Sequence, residues 1–285
     1  MGDTLFVIAW EALSANKVRS ALTMLGIIIG VMAVIVMIGM GQSSQAYITE
    51  QVQGLGASVL IVSPGNPKTA QFGPPGMNTA PTLTLDDAEA LRNLPGIRFI
   101  SANAFTSVTF KYGHDQVAGV VIGAMPAIQE IRELVVGRGR FFTEQESNAG
   151  ARVMVVGAKL MRNLAKDPTL DPLTEKVRIE DQRYRIVGVL VEEGGGLFGS
   201  TDEQAFIPTR TYQQNLRDGK RINAIFLRVT SEKAMAATTV SVAERLRQRH
   251  RIRPDEDDDF KLQTQAELLA TVQTITSVFT LLLAG

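Results

Sequence analysis

The chain has 285 residues, with 29 basic and 29 acidic side chains, 45% hydrophobic residues and no cysteine. The balanced charge argues against a nucleic-acid-binding protein, and the length is sufficient for one large or two small domains. The lack of cysteine excludes disulfides, thiol catalysis and cysteine-ligated zinc or iron–sulfur sites.

A charge-free segment runs from Ser20 to Thr49, and residues 21–40 are almost continuously apolar. About 20 helical residues cross the roughly 30 Å hydrocarbon core of a bilayer. The segment therefore predicts a transmembrane helix over residues 20–41. A cleaved signal peptide, the main alternative, would have a shorter apolar run followed by a cleavage site with small residues.

The flanks of this segment predict its orientation. Lys17 and Arg19 precede it, whereas the next basic residue beyond it is Lys68. The bias predicts a cytoplasmic N-terminus and an extracytoplasmic location for the residues after 41. Residues 1–19 are predicted to form an amphipathic cytoplasmic or interfacial segment, which either lies in the headgroup layer or continues the helix.

Gly26 and Gly30 form a G-x-x-x-G pair within the predicted span. Small residues at this spacing allow a second helix to approach closely. We therefore expect these two glycines to be helix-packing positions.

Residues 42–270 have the alternating polar and apolar texture of a water-soluble domain. A capping box at Thr84 and Asp87 predicts a helix that ends at Pro95-Gly96, and a longer helix is predicted over Glu232–His250 with Met235, Thr239, Val242 and Leu246 on one face. Shorter helices are predicted over residues 157–165 and from Thr209 onward. Strands are predicted at Ser58–Ser63, Arg98–Ala102, Ser107–Tyr112, Gln116–Ile122, Arg152–Val156, Lys176–Ile179, Arg183–Leu190, Ala205–Pro208 and Ala224–Val229.

These elements follow no regular βαβ rhythm, which predicts an α+β fold of two small subdomains.

The C-terminal end is again apolar, because no charge follows Glu267 and residues 275–283 are strongly hydrophobic. Residues 271–285 are predicted to begin a second transmembrane helix that the sequence truncates. A short amphipathic C-terminal helix is the alternative.

The sequence shows no motif that predicts a catalytic residue, a cofactor site or a metal site. No G-x-x-x-x-G-K-[ST] loop is present, so the chain is not expected to hydrolyse ATP. His114 is predicted at a hairpin tip and His250 at a helix end, both with structural roles. The acidic run Asp255–Asp259 is predicted to solvate a turn and to balance nearby arginines, and a hard-cation site is the alternative.

A glycine-rich loop after the strand Arg183–Leu190 carries two large apolar side chains, Leu197 and Phe198. Exposed apolar residues on a flexible loop are suited to contact a partner. A mobile hairpin tip without a partner is the alternative interpretation.

Several segments resemble, in order, those of MacB-type ABC transporters, the FtsX-like permeases. The first is Asn16–Val31, with the sequence NKVRSALTMLGIIIGV. The others are Val62–Gly65, Leu83–Asp87, Gly137–Phe142, Ile186–Leu190, Phe206–Pro208, Arg247–His250 and Asp259–Phe260. The resemblance covers nearly the whole chain.

The resemblance implies a dimeric permease with four transmembrane helices and a large extracytoplasmic domain between the first two. It implies an outer subdomain of about residues 54–127 plus 220–265 and an inserted subdomain of about residues 128–219. A cytoplasmic ATPase that carries ATP and Mg²⁺ would drive it from a separate chain, since Met1 lies just before the amphipathic segment. Lys17 and Arg19 would be topology anchors or contacts with that ATPase.

The resemblance further implies an inner-membrane location and transmission of motion to a periplasmic adaptor, a substrate or another enzyme. Membrane lipids and a second permease copy are the other expected partners, and nucleic acid is not. A membrane-anchored sensor and an anchored extracytoplasmic enzyme are the two alternatives. The substrate is not predicted by any residue.

Overall fold

The structure is a computed structural model that describes residues 17–32, 36, 39, 58–66, 82–165, 171–192, 200–216, 222–264, 266–268, 270, 274 and 278. The chain divides into two compact units. One unit consists of Met1–Thr49 with Ala270–Gly285, and the other of Glu50–Leu269.

The first unit is helical wherever it is described. Residues 17–32 form a helix with exposed apolar side chains, and residues 270, 274 and 278 are also helical. Among the described residues, no helix combines the length and the apolar character needed to cross a membrane. Parts of both predicted spans, 20–41 and 271–285, lie outside the described residues.

The second unit is built on a mixed sheet of ten strands in the described part of the chain. The path through the sheet is β10-β1-β9-β2-β3-β8-β5-β7-β4, and β6 pairs with both β2 and β7. The strands are β1 Val59–Pro64, β2 Ile97–Tyr112, β3 Asp115–Ala124, β4 Val136–Gly139, β5 Val153–Val156, β6 Lys176–Ile179, β7 Gln182–Leu190, β8 Gln204–Pro208, β9 Ala224–Val229 and β10 Phe260–Thr264.

Six α-helices pack with this sheet in the described residues of the second unit. They are α1 Leu85–Leu91, α2 Ile128–Ile131, α3 Glu144–Asn148, α4 Ala158–Leu164, α5 Thr209–Asn215 and α6 Met235–His250. The mixed α/β fold is confirmed. The division into an outer and an inserted subdomain stays a prediction.

Strand β2 corrects the prediction of two separate strands at residues 98–102 and 107–112. It is a single strand of 16 residues, and the predicted break at residues 103–106 pairs with β9 and β3. The buried Ser101 hydroxyl donates to Asn103 Oδ1 at 2.6 Å and accepts from the Met125 amide at 3.0 Å. The first half of β2 pairs with β9 and the second half with β3.

Helix α1 confirms the predicted capping box, since Thr84 accepts from the Asp87 amide and Asp87 accepts from the Thr84 amide. Helix α6 begins later than predicted, at Met235, after a 3-10 turn over Glu232–Ala234. Its buried row is Thr238, Val242 and Leu246. Thr239, predicted for this face, is half-buried beside the row, three residues before Val242.

Alternating side chains of the strands enter two apolar cores, one on each face of the sheet. In β1, for example, Leu60 and Val62 belong to one core and Val59 and Ile61 to the other. The helices α1, α4 and α6 contribute to the core that contains Leu60. The helix α2 contributes to the second core.

One buried polar atom in the first core leads to a prediction about stability. The Tyr184 hydroxyl is buried without a hydrogen-bond partner in the described part of the chain, and burial raises the pKa of this phenol to about 12. Tyr184→Phe should raise the free energy of unfolding by about 1 kcal/mol, since it removes an unsatisfied buried group. Urea unfolding measures this, and Tyr184→Leu, which also removes the ring, should destabilise. A clear loss of stability in Tyr184→Phe would contradict the assignment.

Candidate functional site

The N-terminal helix carries four of the predicted functional residues. Lys17 and Arg19 lie in its first turn and are exposed. Within the part of the chain that the structure describes, no atom lies within 4 Å of a Cβ added to Gly26 or Gly30. The space beside both glycines is therefore open to another helix, although the described residues do not place one there.

Two adjacent strands connect the second unit to the predicted membrane segments along the chain. Strand β1 follows the first apolar segment and β10 precedes the second. They pair antiparallel, with Leu60 opposite Thr264 and Pro64 opposite Phe260. We call Val59–Pro64 and Phe260–Thr264 the coupling ribbon, because the start of one strand lies beside the end of the other.

A group of four polar and charged side chains adjoins the start of β10, which follows α6. Asp87 Oδ1 lies 2.7 Å from Arg249 Nε, and Asp87 Oδ2 lies 3.3 Å from His250 Nε2. His250 Nδ1 lies 2.7 Å from Asp259 Oδ1. We call Asp87, Arg249, His250 and Asp259 the Asp87 cluster. It ties α1 and the end of α6 to the residue that precedes β10.

The electrostatics of this cluster favour an ionised Asp87. Burial alone would raise the pKa of its carboxyl, but hydrogen bonds from Thr84 and Arg249 outweigh burial and leave the pKa below its usual value. The side chain of Asp87 is only 4% exposed. An unpaired buried carboxylate would strongly destabilise the fold, so Asp87 keeps these donors in contact with it. The carboxylate therefore acts as a structural cross-link between α1 and α6.

The acidic run Asp255–Asp259 lies in the turn between α6 and β10. Asp258 pairs with Arg247, whose guanidinium also donates to the carbonyl of Glu256 at 3.2 Å. Across residues 58–66 and the other described segments, no group of three or more His, Asp or Glu side chains is arranged to hold a metal ion. Asp258 and Asp259 thus contact the end of α6, whereas Asp257 accepts from the Asn66 side chain at 3.3 Å.

The segment Gly137–Phe142 forms a strand end and a tight connection into the second core. Gly139 has a positive φ of 78°, and Phe141 and Phe142 are buried with ring centroids 4.4 Å apart. Arg140 donates two hydrogen bonds to Glu146, at 2.7 and 2.8 Å. Of the two glycines in this segment, Gly139 has a positive φ and Gly137 does not.

The Arg140–Glu146 pair predicts a pH dependence of stability. Its hydrogen bonds from Arg140 lower the pKa of Glu146 from 4.5 to about 2. A lowered folded-state pKa stabilises the fold above pH 4.5, and this contribution is lost as the pH falls from 4.5 towards 2.

Glu146→Gln should therefore be less stable than the unmodified chain at neutral pH, and the gap should close in acid. Urea unfolding across this pH window measures the gap. Glu144→Gln, a change of the same charge in the same helix, is the control and should leave no such gap. A gap that widens in acid would contradict the assignment.

The predicted partner contacts Leu197 and Phe198 lie outside the described residues. The chain immediately before their loop is fixed by Arg162, which donates to both carboxylate oxygens of Glu192 at 2.7 and 2.8 Å.

His114 lies in the turn between β2 and β3, after Gly113 with its positive φ of 56°. The structure does not bring His114 and His250 into the same group of contacts.

Sequence reasoning identified the capping role of Asp87 and the position of His250, but missed that they meet. The two residues are 163 positions apart in the chain, and periodicity carries no information on such contacts. The only sign of this cluster in the sequence was the pair of adjacent basic and acidic runs, Arg245–Arg253 and Asp255–Asp259. These runs predicted ion pairs with each other and not with Asp87.

Comparisons with known proteins agree with this architecture. The family described as MacB-like periplasmic core domain matches residues 20–245. A macrolide export ATP-binding/permease protein MacB from Bdellovibrio bacteriovorus is 27% identical over 279 residues, which are 97% of this chain and 42% of that protein. A pyoverdine export ATP-binding/permease protein PvdT from Pseudomonas fluorescens is 33% identical over 203 residues, 70% of this chain and 29% of that protein.

Two solved structures share the fold. The periplasmic region of MacB from Actinobacillus actinomycetemcomitans has a TM-score of 0.65 at 19% identity, covering 80% of this chain and 98% of that one. The extracellular domain of the ABC-type transporter YknZ from Gram-positive bacteria has a TM-score of 0.59 at 17% identity, covering 72% of this chain and 100% of that one. The chain spans about two fifths of the length of the MacB relatives that it matches. Since the family match covers most of its length, the chain belongs to the MacB-like periplasmic core domain family.

Proposed function

We propose that this chain is part of a permease subunit of an ABC transporter. In this proposal its extracytoplasmic domain changes conformation when a partner ATPase binds and hydrolyses ATP. The names of the relatives, which are export ATP-binding/permease proteins, support this class. The sequence has no phosphate-binding loop, so ATP and Mg²⁺ would bind to the ATPase and not to this chain.

The pairing of β1 with β10 is the observation that carries the proposal. In the proposed topology, residues 20–41 span the inner membrane with the N-terminus in the cytoplasm, and residues 271–285 begin a second span. The first strand after one span and the last strand before the other are hydrogen-bonded to each other over Leu60–Pro64 and Phe260–Thr264. A displacement of either span would therefore act on the same ribbon.

The sheet offers a continuous route from the ribbon into the rest of the domain. Strand β1 pairs with β9, β9 pairs with β2, and the 16 residues of β2 reach β3 and β6. Arg228 on β9 also contacts Glu133 at 2.6 Å and the carbonyl of Glu130 at 2.5 Å. In this account, motion that enters at the ribbon reaches both the proposed outer and inserted subdomains and is transmitted to a periplasmic adaptor or substrate.

The proposed partners within the membrane are lipid and a second permease copy. Gly26 and Gly30 would form the contact between copies, since both leave open space on the N-terminal helix. Leu197 and Phe198 are proposed as a contact with an extracytoplasmic partner.

The glycine contact gives a direct prediction. Gly26→Leu/Gly30→Leu should weaken self-association of the full chain by at least about tenfold, because two bulky side chains would fill the space that a second helix needs. Cross-linking yield in detergent or bilayers measures this. Met24→Leu/Ile28→Leu, at other positions of the same helix, is the control. Unchanged yield with the glycine variant would contradict the proposed packing.

The proposal is tested by association with the partner ATPase. The full-length permease should co-purify with that ATPase from detergent and alter its turnover. Lys17→Gln/Arg19→Gln should weaken this association if the two cations contact the ATPase, and Lys233→Gln should not. Absence of both co-purification and any effect on turnover would overturn the proposed function.

A further inference from the structure

Three adjacent strands carry cations at directly opposed positions. Lys111 on β2 lies opposite Arg178 on β6, and Arg178 lies opposite Arg183 on β7. Residues opposed in this way point to the same face of a sheet, with neighbouring Cβ atoms about 5 Å apart. Like charges at such positions repel each other, so the repulsion between these three positive charges lowers the stability of the sheet.

The three cations lie on the solvent-facing side of these strands. In β6, the exposed Arg178 alternates with the buried Val177 and Ile179, and in β7 the exposed Arg183 precedes the buried Tyr184. Lys111 is half-buried. No ion pair to any of the three cations is present among the described residues.

A cleft adjoins this row. The β2–β6 pairing ends at Lys111 and Arg178, and beyond it the turn after β2 separates from the residues that precede β6. The resulting cleft has a volume of about 440 Å³. Its charged lining consists of Lys111, Arg178, Arg183 and Lys176, with Glu175 as the one carboxylate among its lining residues.

We propose that this cleft binds a small anion that carries two or more phosphate or carboxylate groups. Guanidinium groups bind both kinds of oxyanion through paired hydrogen bonds, and a multivalent anion would neutralise the repulsion along the row. The cleft volume lies in the range of small-molecule pockets, about 300–1,000 Å³, which suits a small ligand better than a flat protein surface. This site goes beyond the proposed function, because it needs neither the ATPase nor a second copy.

The test is isothermal titration calorimetry on the full chain in nonionic detergent at low ionic strength. Pyrophosphate and citrate are the probes, and acetate is the monovalent control. At least one of the multivalent anions should bind, at least about tenfold more tightly than acetate, and added salt should weaken the binding. Tighter binding of one of the two probes identifies phosphate or carboxylate as the preferred group.

Matched variants locate the binding. Arg178→Gln/Arg183→Gln should weaken it by at least about tenfold, whereas Lys233→Gln/Arg245→Gln, which removes the same charge from exposed positions elsewhere, should change it by less than about twofold. Lys111→Gln provides a second, single-site variant that should also weaken binding. The bound anion should raise the melting temperature of the unmodified chain more than that of the Arg178/Arg183 variant.

The proposal is overturned if neither pyrophosphate nor citrate binds. It is also overturned if both double variants weaken binding equally, since this would indicate attraction by net charge alone. Either result would leave the association with the ATPase unaffected, so failure of this site can be told apart from failure of the proposed function.

Discussion

Asp87→Ala should lower the free energy of unfolding by about 3 kcal/mol. The substitution removes the buried carboxylate from Arg249 and His250 and also removes half of the capping box of α1. Breaking a buried ion pair from one side costs about 3–5 kcal/mol, because the remaining charge loses its partner. Partial exposure of Arg249, at 35%, places the expected value at the low end of that range.

Chemical denaturation with two spectroscopic probes measures this loss. Asp86→Ala is the matched control, because Asp86 is an exposed carboxylate in the same helical turn. It should change stability by less than about 0.5 kcal/mol. Because hydrogen bonds from Thr84 and Arg249 outweigh burial and hold the pKa of Asp87 below its usual value, the stabilisation by this residue should be lost as the pH falls through that lowered pKa. Equal effects of the two alanine variants would contradict the role given to the Asp87 cluster.

Gly139→Ala should destabilise the chain by at least about 3 kcal/mol. A side chain at φ 78° is strained, and the added Cβ would also collide with the carbonyl oxygen of Val187 and approach the Leu173 side chain to 2.7 Å. The collision with backbone cannot be relieved by rotating a side chain, and Val187 O is also the acceptor for the Arg140 amide at 2.9 Å.

The control for this substitution is Gly137→Ala in the same strand. There the added Cβ would meet the side chain of Val191 at 3.1 Å, and that side chain can move aside. Thermal unfolding should therefore give a much smaller change for Gly137→Ala than for Gly139→Ala. Comparable melting temperatures for the two variants would show that the positive φ and the backbone contact do not matter.

Local patterns in the sequence predicted most of the secondary structure of the second unit. The capping box at Thr84 and Asp87, the successive strands β6 and β7 and the strand before Thr209 are all observed. These features depend on residues close together in the chain, where turn chemistry and side-chain periodicity act directly.

The interactions that organise the candidate site depend on residues far apart in the chain. The register of β1 with β10, the Asp87 cluster and the opposition of Lys111 on β2 to Arg178 on β6 all join distant segments. The alternation of polar and apolar residues predicted each strand but not the strands that pair with it. The break predicted within β2 arose from the same limit, because residues 103–106 pair with the strands β9 and β3, and the sequence did not reveal these partners.

The central claim is that the ATPase cycle acts on the extracytoplasmic domain through the coupling ribbon. Hydrogen–deuterium exchange on the full-length permease with its partner ATPase, reconstituted in lipid nanodiscs, tests this most directly. Amide exchange in residues 59–64 and 260–264 should differ between the nucleotide-free and ATP-trapped states, whereas the buried strand β5 should exchange equally in both. Identical exchange in the ribbon in the two states, with the ATPase bound and active, would contradict the account.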